Sequence, residues 1–438
     1  MSLRFGTDGV RGVAFEQLTE QFAYSLGAAS ARLFAPGGSS AMYVGRDTRE
    51  SGPALLAAFA AGVATTGVEV LDLGVVPTPA VAWFCAHEGQ PGAMLSASHN
   101  PWTDNGIKIF GPGGRKLSDE QQTTIEAALD NEAAPSSWDS VTVSPAVAER
   151  YIDAVVQSAE RRFDGLSIVV DCANGSAAAF APEIFARLGA TVTAIAAAPN
   201  GRNINDNVGS THPEALQAAV LDTKADMGFA FDGDADRVLG CDASGNLIDG
   251  DQIIAMAAID RKSRGALASD TVVITVMTNL GFRLAMADQG IEIVETGVGD
   301  RHVLAALDEQ ALSLGGEQSG HIIHRDMATT GDGVLTAVQL VDAVLRRPEP
   351  IGVWAANVMT QYPQVLQNVR LQAKVDDITS LIATEIASEE ALLGDQGRVL
   401  VRASGTEPLI RVMVEAATHA QAEEVAGRLA EAVTRLTS

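Results

Sequence analysis

Leu166-Ser-Ile-Val-Val-Asp-Cys-Ala-Asn-Gly175, followed by Phe185-Ala-Arg-Leu-Gly-Ala-Thr-Val-Thr-Ala-Ile195, decides the fold. It reads as an apolar strand (Leu166–Val170), a polar loop, a helix through Phe185–Leu188, a glycine, and a second strand from Ala190. Gly189 marks the helix end, where the backbone needs a left-handed conformation without a Cβ clash. Strand–helix–strand at this length implies a right-handed crossover and a mostly parallel sheet.

The same unit occurs twice more. Around it lie the strand Met42–Val44, an Ala-rich helix from Pro53, Gly67 and the strand Val68–Leu73. Further on come the strand Thr271–Val276, a helix through Phe282–Asp288, Gly290 and the strand Ile291–Thr296. Three such units predict three similar α/β domains, with breaks near 150, 252 and 364. The tail differs. Strands Gly397–Arg402 and Leu409–Ala416 flank a polar turn, and a helix from about Gln421 to Leu436 presents Val425, Leu429 and Val433 on one face. The fold class expected is α/β, three similar domains with mixed, mostly parallel sheets, plus a smaller α+β C-terminal domain. The domains span 1–150, 151–252, 253–364 and 365–438.

Composition narrows the function. The 438 residues are 47% hydrophobic, which suits packed layers. The net charge of −25, without a Lys/Arg cluster, argues against nucleic acid. Three scattered cysteines without a C-x-x-C pair point to buried thiols in a reducing compartment. The N-terminus lacks a signal-peptide core. The apolar stretch Pro53–Leu71 is broken by glycines, threonines and Glu69, so it reads as a buried helix running into a strand. A cytoplasmic chain with neither membrane nor nucleic-acid partner is expected.

Each copy is followed by a polar, Gly-containing segment, and α/β folds place chemistry in loops at sheet edges. After the first comes Met94-Leu-Ser-Ala-Ser-His-Asn-Pro, with Lys108 nearby. It reads as an ordinary turn or as an exposed nucleophile, and the residues alone do not choose between Ser96 and Ser98. A serine-hydrolase triad lacks its G-x-S-x-G elbow. After the second comes Phe229-Ala-Phe-Asp-Gly-Asp-Ala-Asp-Arg. On a regular strand, Asp232, Asp234 and Asp236 would share one face and repel, and a hard divalent cation resolves the repulsion. An EF-hand is excluded, because Arg237 stands at loop position six and Ala243 at position twelve. After the third comes Gly315-Gly-Glu-Gln-Ser-Gly-His-Ile-Ile-His. Glu317 and Ser319 are able to bind sugar hydroxyls, with a plain turn as the alternative. His321 and His324, three apart on a strand, make a poor zinc pair. In the tail, Arg402 and Arg411 flank a Ser-Gly-Thr turn suited to phosphate.

Taken together, these segments and Gly6-Thr-Asp-Gly-Val-Arg-Gly resemble the α-D-phosphohexomutase superfamily over essentially the whole chain and in the right order. The opening and Gln318 look like its bacterial branch acting on glucosamine phosphates. The phosphomannomutase/phosphoglucomutase branch is the alternative. The resemblance implies an isomerase that interconverts glucosamine 6-phosphate and 1-phosphate through a phosphoserine and a sugar 1,6-bisphosphate, feeding amino-sugar nucleotide and cell-wall precursor synthesis. It places the phosphoserine at Ser98 and one Mg²⁺ on Asp232, Asp234, Asp236 and the seryl phosphate. Sugar contacts fall on Glu317 and Ser319. The phosphate loop falls on Arg402, Ser404, Gly405, Thr406 and Arg411. Arg11, His99, Lys108 and Arg237 face the reacting phosphate. The expected partner is a phosphosugar, the bisphosphate is the expected activator, and a homodimer is among the arrangements allowed. Trp102 and His302 depart from the family pattern, each standing where tyrosine is usual. The second departure leaves open whether His302 assists proton transfer.

Overall fold

The structure is a computed structural model that describes the chain apart from residues 1–2, 7, 36–39, 130–134, 136–142, 144, 372–376, 404–408 and 438. The chain divides into two compact units, Met1–Met277 with Ile291–Ala356, and Thr278–Gly290 with Asn357–Ser438.

The first unit contains three sheets. The first is built from β1 (Val10–Val13), β2 (Ala41–Arg46), β3 (Glu69–Val75), β4 (Gly92–Leu95), β5 (Asp104–Gly111) and β6 (Arg115–Lys116). The second holds β7 (Ser167–Asp171), β8 (Thr191–Ile195), β9 (Met227–Phe231), β10 (Val238–Asp242) and β11 (Leu247–Ile248). The third holds β12 (Thr271–Thr275), β13 (Glu292–Thr296), β14 (Leu314–Gly316) and β15 (Ile322–His324).

The expected parallel cores are present. In each sheet the strand that opens the repeat pairs in parallel with the strand that closes it and, on its other side, with a third strand, giving β4-β2-β3, β9-β7-β8 and β14-β12-β13. The third strand then turns back into an antiparallel neighbour: β4 into β5, β9 into β10, β14 into β15. The repeating structural unit is therefore longer than the sequence repeat, and the three polar segments are equivalent turns. All three leave the carboxyl ends of parallel strands, where open α/β sheets bind ligands.

Local chemistry explains the helices between these strands. The helix Ala181–Leu188 ends on Gly189 at φ 104°, whose N–H bonds back to Ala186 O at 3.0 Å. Gly67 and Gly290 also take positive φ, although their helices close two or three residues earlier, at Ala64 and Asp288. The helix Gly250–Ser263 starts from an Asp249/Gln252 capping box. All twelve residues of the helix Gly333–Val344 are buried, and two of its polar members are paired: Asp342 with Arg346 and Gln339 with Ser158.

The second unit is a three-stranded antiparallel sheet in the order β16-β18-β17, made of β16 (Gln364–Arg370), β17 (Arg398–Ala403) and β18 (Leu409–Glu415). The helix His419–Thr437 covers it with Val425, Leu429 and Val433, each at most 2% exposed. Strand β16 and the helix Ala383–Leu393 had no periodic signal in the sequence. The third repeat's helix, Leu280–Asp288, belongs to this unit, where Glu415 accepts from the Leu280 N–H at 2.9 Å.

Candidate active site

The first turn presents Ser98 in an unusual conformation. Its φ of 54° lies in the left-handed region, which costs a non-glycine residue about 1–3 kcal/mol and persists only when its surroundings enforce it. Ser98 Oγ donates to Asp232 Oδ2 at 2.6 Å. The Ser96 hydroxyl is fully buried and otherwise engaged: it donates to Asp47 Oδ2 at 2.6 Å and accepts from the Ser98 N–H at 2.9 Å. Of the two serines, Ser98 reaches the aspartates.

The second turn gathers Asp232, Asp234 and Asp236, whose oxygens lie within 4.8 Å of one another, all buried. Strand alternation does not gather them. Strand β9 ends at Phe231, and the chain curls through Ala235 at φ 57° before β10 begins. Asp234 sits at the N-terminus of the helix Thr78–Glu88, where the Thr78 N–H donates to its main-chain carbonyl (2.9 Å) and Thr78 Oγ1 donates to its carboxylate Oδ2 (2.5 Å). Gly333 N–H, opening another helix, donates to Ala235 O at 3.0 Å. Asp234 Oδ1 and Asp236 Oδ1 are buried without a hydrogen-bond partner. Burial, then the charges of Asp236 and Asp234, pushes the Asp232 carboxyl well above its ordinary value. Orphaned carboxylate oxygens in an oxygen-only cluster fit a hard divalent cation.

Lys108 reaches the cluster from β5. It is 2% exposed and contacts Asp234 (2.8 Å), Asp236 (3.3 Å) and Asp8 (2.8 Å). Burial disfavours its charge, but the three carboxylates outweigh burial and hold it well above the usual lysine value. Asp8 also pairs with Lys116 at 2.5 Å and Arg11 at 2.6 Å, and Lys116 pairs in turn with Asp300. Asp300 Oδ2 lies 3.6 Å from His321 Nε2, and His321 Nδ1 lies 3.7 Å from Asp236. Lys108, Asp8, Lys116, Asp300, His321 and Asp236 thus form a closed ring of alternating basic and acidic side chains. Burial opposes the charge on His321, yet Asp236 and Asp300 raise its value. Gly331 N–H also points at Nε2, at 3.2 Å, which requires a lone pair there. That geometry fixes any ring proton on Nδ1, facing Asp236.

An open cavity of about 440 Å³ is lined by Arg11, His99, Arg237, Glu317, Asp300 and His321, among others. His99 is exposed at the cavity. Partial desolvation, then Arg237 and Arg11, lowers its value. Arg237 Nε is buried without a hydrogen bond, 3.8 Å from Asp236. In the third turn, Glu317 accepts from Gly299 N–H at 3.0 Å, while Ser319 is exposed at the tip. His324 is buried and is not among the residues that line the cavity. His302 is exposed, and its helix neighbour Asp300 reaches the cavity instead. Trp102 stacks beneath the Arg202 guanidinium at 5.1 Å, with Glu50 holding Arg202.

In the second unit Arg402 and Arg411 are direct cross-strand partners on β17 and β18. Burial, then Arg411, lowers the Arg402 value. Ser404, Gly405 and Thr406 lie outside the described residues. Sequence reasoning missed Asp8, Lys116, Asp300 and Asp47. Asp8 lay inside a quoted motif, whereas Lys116 and Asp300 gain meaning only from the packing that brings them together.

Sequence models of phosphoglucomutase/phosphomannomutase domains match four consecutive stretches: alpha/beta/alpha domain I at residues 2–136, domain II at 149–245, domain III at 249–362 and the C-terminal domain at 366–432. The chain belongs to the phosphoglucomutase/phosphomannomutase family. Its relatives in this family include the phosphoglucosamine mutase of Thermobifida fusca, 51% identical and covering 99% of this chain and 98% of that protein. The phosphoglucosamine mutase of Saccharopolyspora erythraea is 49% identical over all of both chains. A family protein from Burkholderia thailandensis matches with a TM-score of 0.80 and 26% identity, covering 98% of this chain and 97% of that one. The Aspergillus fumigatus N-acetylphosphoglucosamine mutase, solved with GlcNAc-6P and magnesium, shares the fold at a TM-score of 0.69 and 19% identity, over 100% and 96% of the two chains. As a phosphoglucomutase/phosphomannomutase family member with relatives of this kind, the chain is a phosphosugar mutase, an isomerase. Among the described residues no helix is long and apolar enough to cross a membrane.

Proposed function

We propose that this mutase interconverts glucosamine 6-phosphate and glucosamine 1-phosphate, with Ser98 as the phosphorylated nucleophile. One observation carries the site assignment: Ser98 Oγ lies 2.6 Å from Asp232, in a buried triad with two orphaned carboxylate oxygens. Near-50% identity to proteins named phosphoglucosamine mutase supports the sugar.

In the forward half-reaction the bond between phosphorus and Ser98 Oγ breaks, and a bond to the free sugar hydroxyl forms. The hydroxyl proton passes to His99, which lines the cavity and whose Nδ1 lies 3.5 Å from Ser98 Oγ, and from there to the departing Ser98 oxygen. The resulting 1,6-bisphosphate turns over and returns its other phosphoryl group to Ser98. Free bisphosphate serves as activator by restoring phosphate to Ser98. Asp232, Asp234 and Asp236 would hold Mg²⁺, which when bound supplies positive charge to the transferring group. Lys108, Arg11 and Arg237 supply further fixed positive charge. Glu317 and Ser319 bind sugar hydroxyls, and Arg402 and Arg411 take the non-reacting phosphate. The four domains are assigned breaks near 150, 252 and 364. Three free buried thiols support a cytoplasmic setting.

Glucosamine, glucose and mannose 6-phosphates assayed side by side, with intact-mass detection of one labile phosphate, test this reading. It requires the highest kcat/KM for glucosamine 6-phosphate. Preference for glucose or mannose phosphate places the enzyme in the other branch.

A further inference from the structure

The loop that carries Ser98 closes around a single buried guanidinium. Arg49 follows β2, is 1% exposed and does not line the cavity. Its Nε donates to Asp47 Oδ2 at 2.8 Å. Nη1 donates to the carbonyls of Pro101 and Asp104, the latter at 2.9 Å. Nη2 donates to the carbonyls of Ser98 at 2.9 Å and Asn100 at 2.8 Å. All five N–H donors of an arginine are thereby used, four of them on main-chain oxygens of the nucleophile loop. From the second sheet's side, Asn205 Nδ2 donates to the same Ser98 and Asn100 carbonyls, at 2.9 and 3.0 Å.

These bonds act on a strained backbone. Ser98 holds its left-handed φ while its carbonyl is gripped from two sides and its N–H is gripped by Ser96. Asp47 closes the circuit by accepting from both Ser96 Oγ and Arg49 Nε. Converging carbonyl dipoles repel one another, and a planar cation at their focus relieves the repulsion. A lysine has three donors on one point and cannot reach four carbonyls and a carboxylate at once.

We propose that Arg49, assisted by Asn205, is a positioning residue for phosphoryl transfer: it sets the Ser98 main chain so that Oγ is held in line between the aspartate cluster and the sugar hydroxyl. This rests on Ser98 as nucleophile. Neither residue touches the cavity that receives the sugar, so the proposal separates turnover from binding.

The test uses the full-length phosphorylated enzyme with Arg49→Lys and Asn205→Ala. Single-turnover transfer to glucosamine 6-phosphate should fall about 100-fold in Arg49→Lys, the scale expected for a misplacement of about 1 Å. Asn205→Ala should lose about tenfold, while sugar KM stays within about threefold in both. The ³¹P line of the phosphoserine should narrow in each variant as the loop gains motion. Should Arg49→Lys not fold, Asn205→Ala decides alone. Wild-type transfer rates in the folded variants, or a loss carried equally by KM, overturn the proposal. Peptide mapping of the wild-type phosphate separates the two failures: phosphate found away from Ser98 sinks the nucleophile assignment itself.

Discussion

The Ser98 hydroxyl donates to Asp232 Oδ2 at 2.6 Å although the two residues stand 134 positions apart and lie on turns of different sheets. The repeat explains how they meet. Each turn follows the third parallel strand of its own sheet, so equivalent positions bring the serine hydroxyl and the carboxylate together. Ser98→Ala should abolish interconversion and the labile phosphate. Ser96→Ala should keep the phosphate but turn over about ten- to a hundredfold more slowly. It leaves the buried Ser98 N–H unsatisfied, which costs about 1–3 kcal/mol. Intact mass and kcat for both variants check this. A fully active Ser98→Ala enzyme ends the assignment.

The metal prediction concerns Asp234. Its Oδ2 is held by Thr78 and Lys108, and its Oδ1 is the orphan. Asp234→Asn removes one charge and turns an amide toward a cation donor. The Mg²⁺ concentration for half-maximal activity should rise at least about tenfold, and kcat should fall by orders of magnitude. Mg²⁺ should also raise the wild-type Tm, because it relieves the crowding of three carboxylates, and raise the variant's much less. Superimposed Mg²⁺ curves for the two proteins are the contrary result.

A pH effect follows from Asp332. It caps the helix Gly333–Val344 and accepts from Tyr151 OH at 2.8 Å, and burial pushes it from 3.8 up to about 6. The folded state therefore keeps a proton that the unfolded state releases between about pH 4 and 6, so this group's contribution declines as pH rises through that window. A shift of that size corresponds to about 3 kcal/mol at pH 7. Asp332→Asn removes the titration. Denaturant unfolding of both proteins should show the stability difference moving in the variant's favour by about 2–3 kcal/mol from pH 4 to pH 7. A difference that stays flat with pH contradicts it.

Much of this was legible in the sequence, because strand, helix and glycine recur with local spacing and the polar segments stand directly after them. The parallel cores and the packed face of the last helix follow from periodicity alone. The antiparallel return strands were not legible as such: β10 and β15 are short and carry no alternation of their own. The site was legible where its chemistry is concentrated in one segment, as in Asp232–Asp236. It was hidden where it is assembled across segments. Lys116, Asp300 and Arg49 are ordinary charges in the sequence, and only packing turns them into a ring and a clamp. The curl through Ala235 was likewise invisible, since alanine rarely takes positive φ and the hydrogen bonds that enforce it come from Gly333 and Thr78.

Arg402 and Arg411 give the last prediction. They stand directly opposite one another on β17 and β18, so their side chains leave the same face of the sheet. Like charges in that position destabilise a sheet by about 0.2–1 kcal/mol unless an anion lies between them. Burial and the neighbouring Arg411 already lower the Arg402 value, which is the mark of that repulsion. Arg411→Ala should therefore separate stability from binding. Without substrate, the C-terminal unit should melt slightly higher in the variant than in the wild type. With substrate, sugar-phosphate KM should rise about ten- to a hundredfold, since a charge-assisted contact contributes about 1.5–3 kcal/mol. The phosphate in question is present in substrate and product alike, so kcat should fall less than kcat/KM. Calorimetry with and without glucosamine 6-phosphate, beside steady-state kinetics, gives both readings. A variant that is less stable without ligand, with unchanged KM, would mean the two arginines are held for the sheet and not for phosphate.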